Sequence, residues 1–327
     1  MRYLVTGGTG FVGAYVLREL VAAGHEVTSF DIAPDRNFLG QILEGGPDAV
    51  QIRSGDVSDP FAVLRCMREC GAQRVVHLAA TLSGLSDQNP LRALRVNCEG
   101  TINVFEAALA CQVEKVVWAS TIGVFGTPGQ HKLPPGVAAE DVILGNDSPH
   151  WPTGIYGACK SFNERLANNY RIHRNLNAIG LRLAFTYGYG KALTVQRGTR
   201  VGFMADLIDR PALDEPGVVE NGDSVLDWLY VEDAARSVRL ASERDKTSAV
   251  AVNICGERAS IRAVADVVRD ILPRAELSVG SGTWGDDLRF DTSAAQDQIG
   301  YAPQIGIREG VRKNIDMLRA LHRKARP

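Results

Sequence analysis

Tyr156 and Lys160 stand four residues apart in GIYGACKSF, residues 154–162. On a helix, positions i and i+4 share a face, so phenol and ammonium can point into one cleft. An ammonium beside a phenol lowers the phenol's pKa from about 10 towards neutrality, as any further positive charge held beside it does. The phenolate then becomes a general base able to take the proton of an alcohol. The same lysine can also hold the ribose of a bound nucleotide. Hydroxyls for the opposite side of such a site stand at Ser120 and Thr121, in ASTIGVFG (119–126), where a predicted strand ends. Alone, a Y-x-x-x-K pair is ordinary helix surface. What gives it weight is a cofactor site in the same chain.

That site is predicted at TGGTGFVG, residues 6–13, between an expected strand and an expected helix. Gly7 permits the tight turn, Gly10 lets the backbone approach a pyrophosphate, and Gly13 lets helix pack on strand, while the helix N-terminus attracts the phosphate charge. Phe11 and Val12 belong to the same turn. Asp31 ends the second expected strand, followed by Ile32, at the spacing of a ribose-binding acid. A carboxylate there accepts from both ribose hydroxyls and repels a 2′-phosphate, which favours NAD over NADP. Arg36 lies close enough to soften that preference, or is a solvated loop arginine.

The elements that must position these residues follow from the apolar pattern. Short apolar runs at 2–6, 26–31, 49–53, 74–80, 115–120 and 177–183 alternate with helical patterns at 11–23, 59–70, 90–112 and 155–173. Such alternation predicts an α/β protein, with a Rossmann-type doubly wound parallel sheet covered on both faces. Residues 1–183 are expected to form the NAD-binding domain and 184–327 mainly a smaller C-terminal substrate-binding lobe. The apolar run at 249–255 is expected to rejoin the main sheet. Helices are expected near 201–209, from Glu232, and at 260–272 and 306–322.

Composition narrows the function classes. The chain has 327 residues, 45% hydrophobic and 23% charged, enough for a substantial core. A formal net charge of −2 offers no basic field for nucleic acid. No stretch reaches the roughly 20 apolar residues needed to span a bilayer, and Met1 leads directly into the first strand, so a cytoplasmic protein is expected. The six cysteines include no C-x-x-C, so buried thiols are expected rather than disulfides or zinc ligands, and no metal site is predicted.

Together these residues resemble the extended short-chain dehydrogenase/reductase family, the NAD-dependent epimerases and dehydratases. The specific motifs run from Tyr3 to about Gly190, and DWLYVEDAA (227–235) and DTSAAQDQIGYAP (291–303) extend the resemblance more loosely. It implies a hydroxyl–tyrosine–lysine constellation carried by Thr121, Tyr156 and Lys160. Thr121 is preferred over Ser120 because it matches the family's hydroxyl when V-F-G is aligned. It also implies adenine contacts at Asp56 and Val57, a cofactor-contacting strand end at Leu78, Ala79 and Ala80, and a cofactor-side amide at Asn97. His77 is assigned to structure.

The resemblance also bears on substrate. Nucleotide-sugar enzymes of the family usually carry an asparagine where this chain has Phe185, an arginine where it has Leu226, and paired asparagines where it has Val201 and Gly202. Phosphate oxygens buried without cations or amides are costly, so UDP-sugars are disfavoured on this reading. HLAATLSGLSDQNP, STIGVFG and IYGACK are similar to short-chain L-threonine 3-dehydrogenases, although Ala184 and Phe185 replace the Pro-Gly pair usual there. The leading expectation is oxidation of L-threonine to 2-amino-3-oxobutanoate. The alternatives are a sugar-acid dehydrogenase, of D-erythronate or uronate type, and an NAD-dependent sugar epimerase. Expected substrate contacts are Ser83, Thr121, Tyr156, Phe185, Thr186, Thr199 and Arg200; Ser83 serves equally well as a turn former, and Lys191, Arg197 and Arg200 as solvated loop charges.

Assembly is read from two helices that relatives pair into a dimer. Ala158, Cys159, Phe162, Leu166 and Tyr170 form a stripe expected to face the sheet, leaving Asn163, Asn168, Arg171 and Arg174 outside. A monomer or loose homodimer is expected on that basis.

Overall fold

The computed structural model describes residues 1–127, 143–192, 202–284 and 288–325. In chain order the strands are β1 (Arg2–Thr6), β2 (Glu26–Asp31), β3 (Gln51–Ser54), β4 (Arg74–His77), β5 (Lys115–Thr121) and β6 (Ile143–Leu144). They continue as β7 (Ala178–Leu183), β8 (Phe185–Tyr187), β9 (Gly217–Val219), β10 (Val225–Tyr230), β11 (Ala251–Ile254), β12 (Glu257–Ser260), β13 (Leu277–Val279) and β14 (Arg289–Phe290). The helices that matter for the site are α1 (Phe11–Ala22), α2 (Arg36–Ile42), α3 (Pro60–Glu69), α4 (Ser83–Gln88), α5 (Pro90–Leu94), α6 (Gly100–Ala110) and α7 (Ile155–Arg174).

Seven strands make one sheet in the order β11-β7-β5-β4-β1-β2-β3, and every pairing in it is parallel. Successive side chains of a strand go to opposite faces, and each face here has its own core. Tyr3 and Val5 of β1 join one apolar cluster with Val76, Val117 and Ile179. Leu4 joins the other with Val75, Val116 and Trp118. Helix α1 and helix Val231–Glu243 pack together beside the first core, and α3 packs on α6 over the second. Both faces are therefore dry, which is why the central strands read as continuous apolar runs.

The run at 249–255 supplies β11, which pairs with β7 at Val252↔Leu181. A second sheet, β12-β10-β8, follows the main one. Its strands β8 and β10 run parallel, while β10 and β12 are antiparallel. The helical pattern at 90–112 breaks into α5, a π-helical turn over Arg95–Glu99 and α6. Such turns re-aim a helix at one point. No helix among the described residues is long and apolar enough to cross a membrane.

Helix α7 corrects the expected stripe. Asn163 is fully buried and Ala158 exposed, while Phe162 is 46% exposed. The buried face runs through Cys159, Lys160, Asn163, Glu164, Ala167 and Tyr170 instead. Its polar members are satisfied inside: the Asn163 amide donates to the Asn97 carbonyl at 2.8 Å and to Thr101 Oγ1 at 3.0 Å. Phe162 thus joins Asn168 and Arg174 on the exposed side of α7.

Candidate functional site

A cleft of about 680 Å³ gathers most of the residues singled out above. Its first wall is the glycine turn. Gly7 has φ +69°, and a Cβ there would lie 2.7 Å from the Ala79 nitrogen; a Cβ on Gly13 would lie 2.1 Å from the Gly7 carbonyl oxygen. Only glycine permits strands β1 and β4 and helix α1 to meet this closely. Helix α1 begins at Gly10 with no side-chain cap and no acid in its first turn. Its leading amides are thus left for an anion.

Asp31 lines the same cleft, and its Oδ2 accepts from Thr9 N at 3.2 Å and Thr9 Oγ1 at 2.8 Å. Those bonds fix the carboxylate at the end of β2, with Oδ1 turned to the Ala33 amide at 3.4 Å. Arg36 points elsewhere, to Asp48 at 2.6 Å. Ile32, Asp56, Val57, Leu78, Ala79 and Ala80 also line the cleft. Asp56 is held by accepting from Ser58 N at 2.8 Å. An uncapped helix start, a glycine cradle and a fixed ribose-height carboxylate fit NAD, which these residues can hold.

Asn97 takes a different place. It is 1% exposed and does not line the cleft; its Oδ1 accepts from Thr81 N at 2.7 Å and its Nδ2 donates to Thr81 O at 3.0 Å. Both ends of the amide are spent on the loop after β4, so Asn97 shapes the cleft wall rather than reaching a cofactor. His77 is structural, as expected. It lies between Thr6 Oγ1 at 2.7 Å and Thr101 Oγ1 at 3.1 Å, and burial pushes it down to about 3.

Thr121, Tyr156 and Lys160 all line the cleft. Ser120 does too, but its hydroxyl is consumed, donating to Glu164 Oε1 at 2.6 Å. Thr121 Oγ1 accepts from Gly123 N at 3.1 Å, which leaves its own proton available to a ligand. The Lys160 ammonium lies 5.5 Å from the centre of the Tyr156 ring. Here the electrostatics depart from the expectation. Burial pushes the Tyr156 phenol up to about 12 rather than towards neutrality, and burial pushes Lys160 down to about 8. In the chain by itself desolvation, with a smaller contribution from Cys159, lifts the phenol.

Ser83, Phe185 and Thr186 also line the cleft, whereas Thr199 and Arg200, with Arg197, lie outside the described residues. Lys191 sits over the Phe11 ring at 5.4 Å, so it belongs to the glycine-turn wall. The cleft also has a residue that the motif reading passed over, Asp227 of β10. Its signal was present only as the aspartate of DWLYVEDAA, whose burial is a property of the folded chain.

The ribose carboxylate gives a direct test. Asp31→Asn keeps an acceptor for Thr9 but removes the charge. It is expected to weaken NADH about tenfold and to narrow the gap to NADPH by at least as much, since hydrogen bonds to charged groups are worth roughly 1.5–3 kcal/mol. Fluorescence titration of both reduced cofactors measures this; an unchanged ratio would remove Asp31 from cofactor choice.

The comparisons with known proteins agree with this geometry. UDP-glucose 4-epimerase of Azospirillum brasilense is 27% identical over 328 residues, covering 95% of this chain and 89% of that one. The structure of a Thermus thermophilus UDP-glucose 4-epimerase in complex with NAD superposes with a TM-score of 0.80 at 27% identity, covering 98% of this chain and 99% of that one. A partial consensus L-threonine 3-dehydrogenase reaches a TM-score of 0.82 over 98% and 99%, but at 22% identity it speaks to the fold alone. The NAD-dependent epimerase/dehydratase family model matches residues 3–255, from the glycine turn through α7 to β11. With the cofactor cradle and the hydroxyl, phenol and ammonium opening on one cleft, this chain belongs to that family and uses NAD.

Proposed function

We propose that this protein is an NAD-dependent sugar epimerase that works on a secondary alcohol of its substrate. The observation that carries the reading is the meeting of Thr121, Tyr156 and Lys160 with the glycine turn and Asp31 in one cleft. The Azospirillum relative, a UDP-glucose 4-epimerase, supports a sugar over L-threonine. Oxidation of L-threonine rested on motif likeness, and the threonine dehydrogenase structure adds likeness of fold only.

In this reading Thr121 and Tyr156 hold the reacting oxygen. Tyr156 takes the hydroxyl proton as the carbonyl forms and gives it back to the opposite stereoisomer. Lys160 holds the phenolate charge and the ribose of the cofactor. NAD, when bound by Gly7, Gly10, Phe11, Val12, Gly13, Asp31, Ile32, Asp56, Val57, Leu78, Ala79 and Ala80, supplies the hydride acceptor and donor. The carbonyl intermediate must turn its other face before reduction, and a cleft of about 680 Å³ is large enough for a sugar to do so. Residues 1–183 act as the cofactor domain and the following segment as the substrate lobe, with Ser83, Phe185 and Thr186 among the contacts.

A panel of D-galactose, UDP-galactose, a uronic acid, D-erythronate and L-threonine, each followed by NADH absorbance and by product analysis, tests the reading. Stereoisomer interconversion of a sugar without net NADH is expected. Net NADH from L-threonine or D-erythronate, with no sugar converted, would replace the epimerase by a dehydrogenase.

A further inference from the structure

Beyond β8 the chain turns back over the glycine turn and brings Lys191 with it. The Lys191 amide donates to the Gly188 carbonyl at 3.1 Å, which closes the turn. The Tyr15 hydroxyl of α1 donates to the Tyr189 carbonyl at 3.0 Å, and the Tyr189 hydroxyl donates to Gln41 Oε1 of α2 at 2.5 Å. A Cβ on Gly190, whose φ is +95°, would lie 2.4 Å from Phe38 Cζ and 3.4 Å from Phe11 Cδ2, so the backbone rests on both rings. Lys191 comes next. Its ammonium lies 5.4 Å from the centre of the Phe11 ring, and both residues line the cleft. It is half-buried against the first turn of α1 rather than a solvated loop charge.

A cation is what that end of the cleft otherwise lacks. Residues 6–17, the glycine turn and the first turns of α1, carry no charged side chain, and Arg18 beyond them is paired with Glu232 at 2.9 Å. The leading amides of α1 offer only the partial charge of a helix end, about half an elementary charge, against a dinucleotide that brings a negative charge on each phosphate. Three cations line the cleft among the described residues. Lys160 stands beside Tyr156 and Arg92 on α5, whereas Lys191 lies against the start of α1. Burial lowers the Lys191 ammonium to about 8, so it stays charged at neutral pH at a desolvation cost that an anion would offset. Lysine serves phosphate as a point charge, which suits a contact made from beside the turn rather than within it.

We propose that Lys191 binds the diphosphate of NAD at the start of α1, supplying from the segment after β8 the positive charge that the glycine turn does not contain. The assignment concerns the cofactor and holds whether the substrate is a sugar, a sugar acid or a hydroxy amino acid.

Fluorescence titration with NADH, and competition against it by ADP-ribose, test the assignment in the wild type, Lys191→Met and Lys191→Arg. Methionine keeps an unbranched chain over the Phe11 ring and removes the charge. Lys191→Met should therefore bind both ligands about tenfold or more weakly, the size of a lost charge-assisted contact. Its melting temperature without cofactor should stay at or above that of the wild type, since a half-buried charge has been removed. Lys191→Arg should hold both ligands within about threefold of the wild type, because a guanidinium also pairs with phosphate. Wild-type affinity in Lys191→Met, or an equal loss in Lys191→Arg, would overturn the proposal. So would a loss confined to NADH, because ADP-ribose keeps the diphosphate and lacks only the nicotinamide. A Lys191→Met protein that melts well below the wild type would make the residue a packing element and overturn it too. These readouts need no substrate, so they stand or fall separately from the epimerase reading.

Discussion

Tyr156→Phe is expected to lower turnover by roughly 100- to 10,000-fold, the range of a positioned general acid or base, with NADH affinity nearly unchanged. The substitution removes one oxygen from a cleft-lining ring and leaves α7 and Lys160 where they are. A phenol lifted to about 12 is protonated at neutral pH, so Tyr156 in the bare chain is poised to give a proton rather than take one. Taking one requires positive charge beside the ring. Lys160 at 5.5 Å is one source, and NAD, when bound, would supply a second in its oxidised form only. Under the epimerase reading proposed above, the phenol would be biased towards base in one half of the cycle and towards acid in the other. Pre-steady-state traces with the reactive sugar separate chemistry from binding. Turnover above about a tenth of wild type would exclude the phenol from proton transfer.

How much of this was written in the sequence depends on how local each feature is. The glycine turn, Asp31 and the Tyr156–Lys160 pair were legible because each is fixed by one strand, one helix or the junction between them. The parallel sheet was legible because its strands are buried on both sides and separated by helical patterns. The sheet of β8, β10 and β12 was not, since Phe185–Tyr187 has three residues and Glu257–Ser260 has Ala259 as its one apolar residue. Their pairing joins segments about 30 to 45 residues apart, which no local period encodes. Asn97 was assigned to the cofactor through the family resemblance, and its partner Thr81, across a loop, is not encoded in any local pattern. On α7 two stripes were compatible with the helical period, and the apolar one was assigned inward. The buried ionic groups of the sheet reversed that choice, because Glu164 must face Arg182. The Tyr156 ionisation could not be read at all, since desolvation is a property of the assembled cleft.

That same ion pair carries the second large effect, on stability. Arg182 on β7 and Glu164 on α7 are 3% and 4% exposed, and the guanidinium donates Nε to Oε1 at 2.9 Å and Nη2 to Oε2 at 2.7 Å. Arg182 further donates to Asn253 Oδ1 on β11 and to the Asn146 carbonyl, and its guanidinium lies 5.0 Å from the centre of the Phe125 ring. Ser120 on β5 closes the group on Glu164. Three adjacent strands and the helix bearing Tyr156 and Lys160 thus meet at one buried pair. Arg182→Met is expected to cost roughly 3–5 kcal/mol, because it strands the Glu164 carboxylate in a dry site. Arg182→Lys should recover only part, since one ammonium cannot reproduce the two-pronged contact. Adding Glu164→Gln to Arg182→Met should restore much of the loss by removing the uncompensated charge, even though the Ser120 and Asn253 contacts remain imperfect. Asn253 keeps its own bonds to the Leu144 and Asp291 carbonyls in either case. Urea unfolding of these proteins, together with Glu164→Gln alone, measures the coupling. If the double variant is as unstable as the sum of its single substitutions, the cost lies in lost packing around Phe125 and not in the charge, and the pair is not what locks α7 to the sheet.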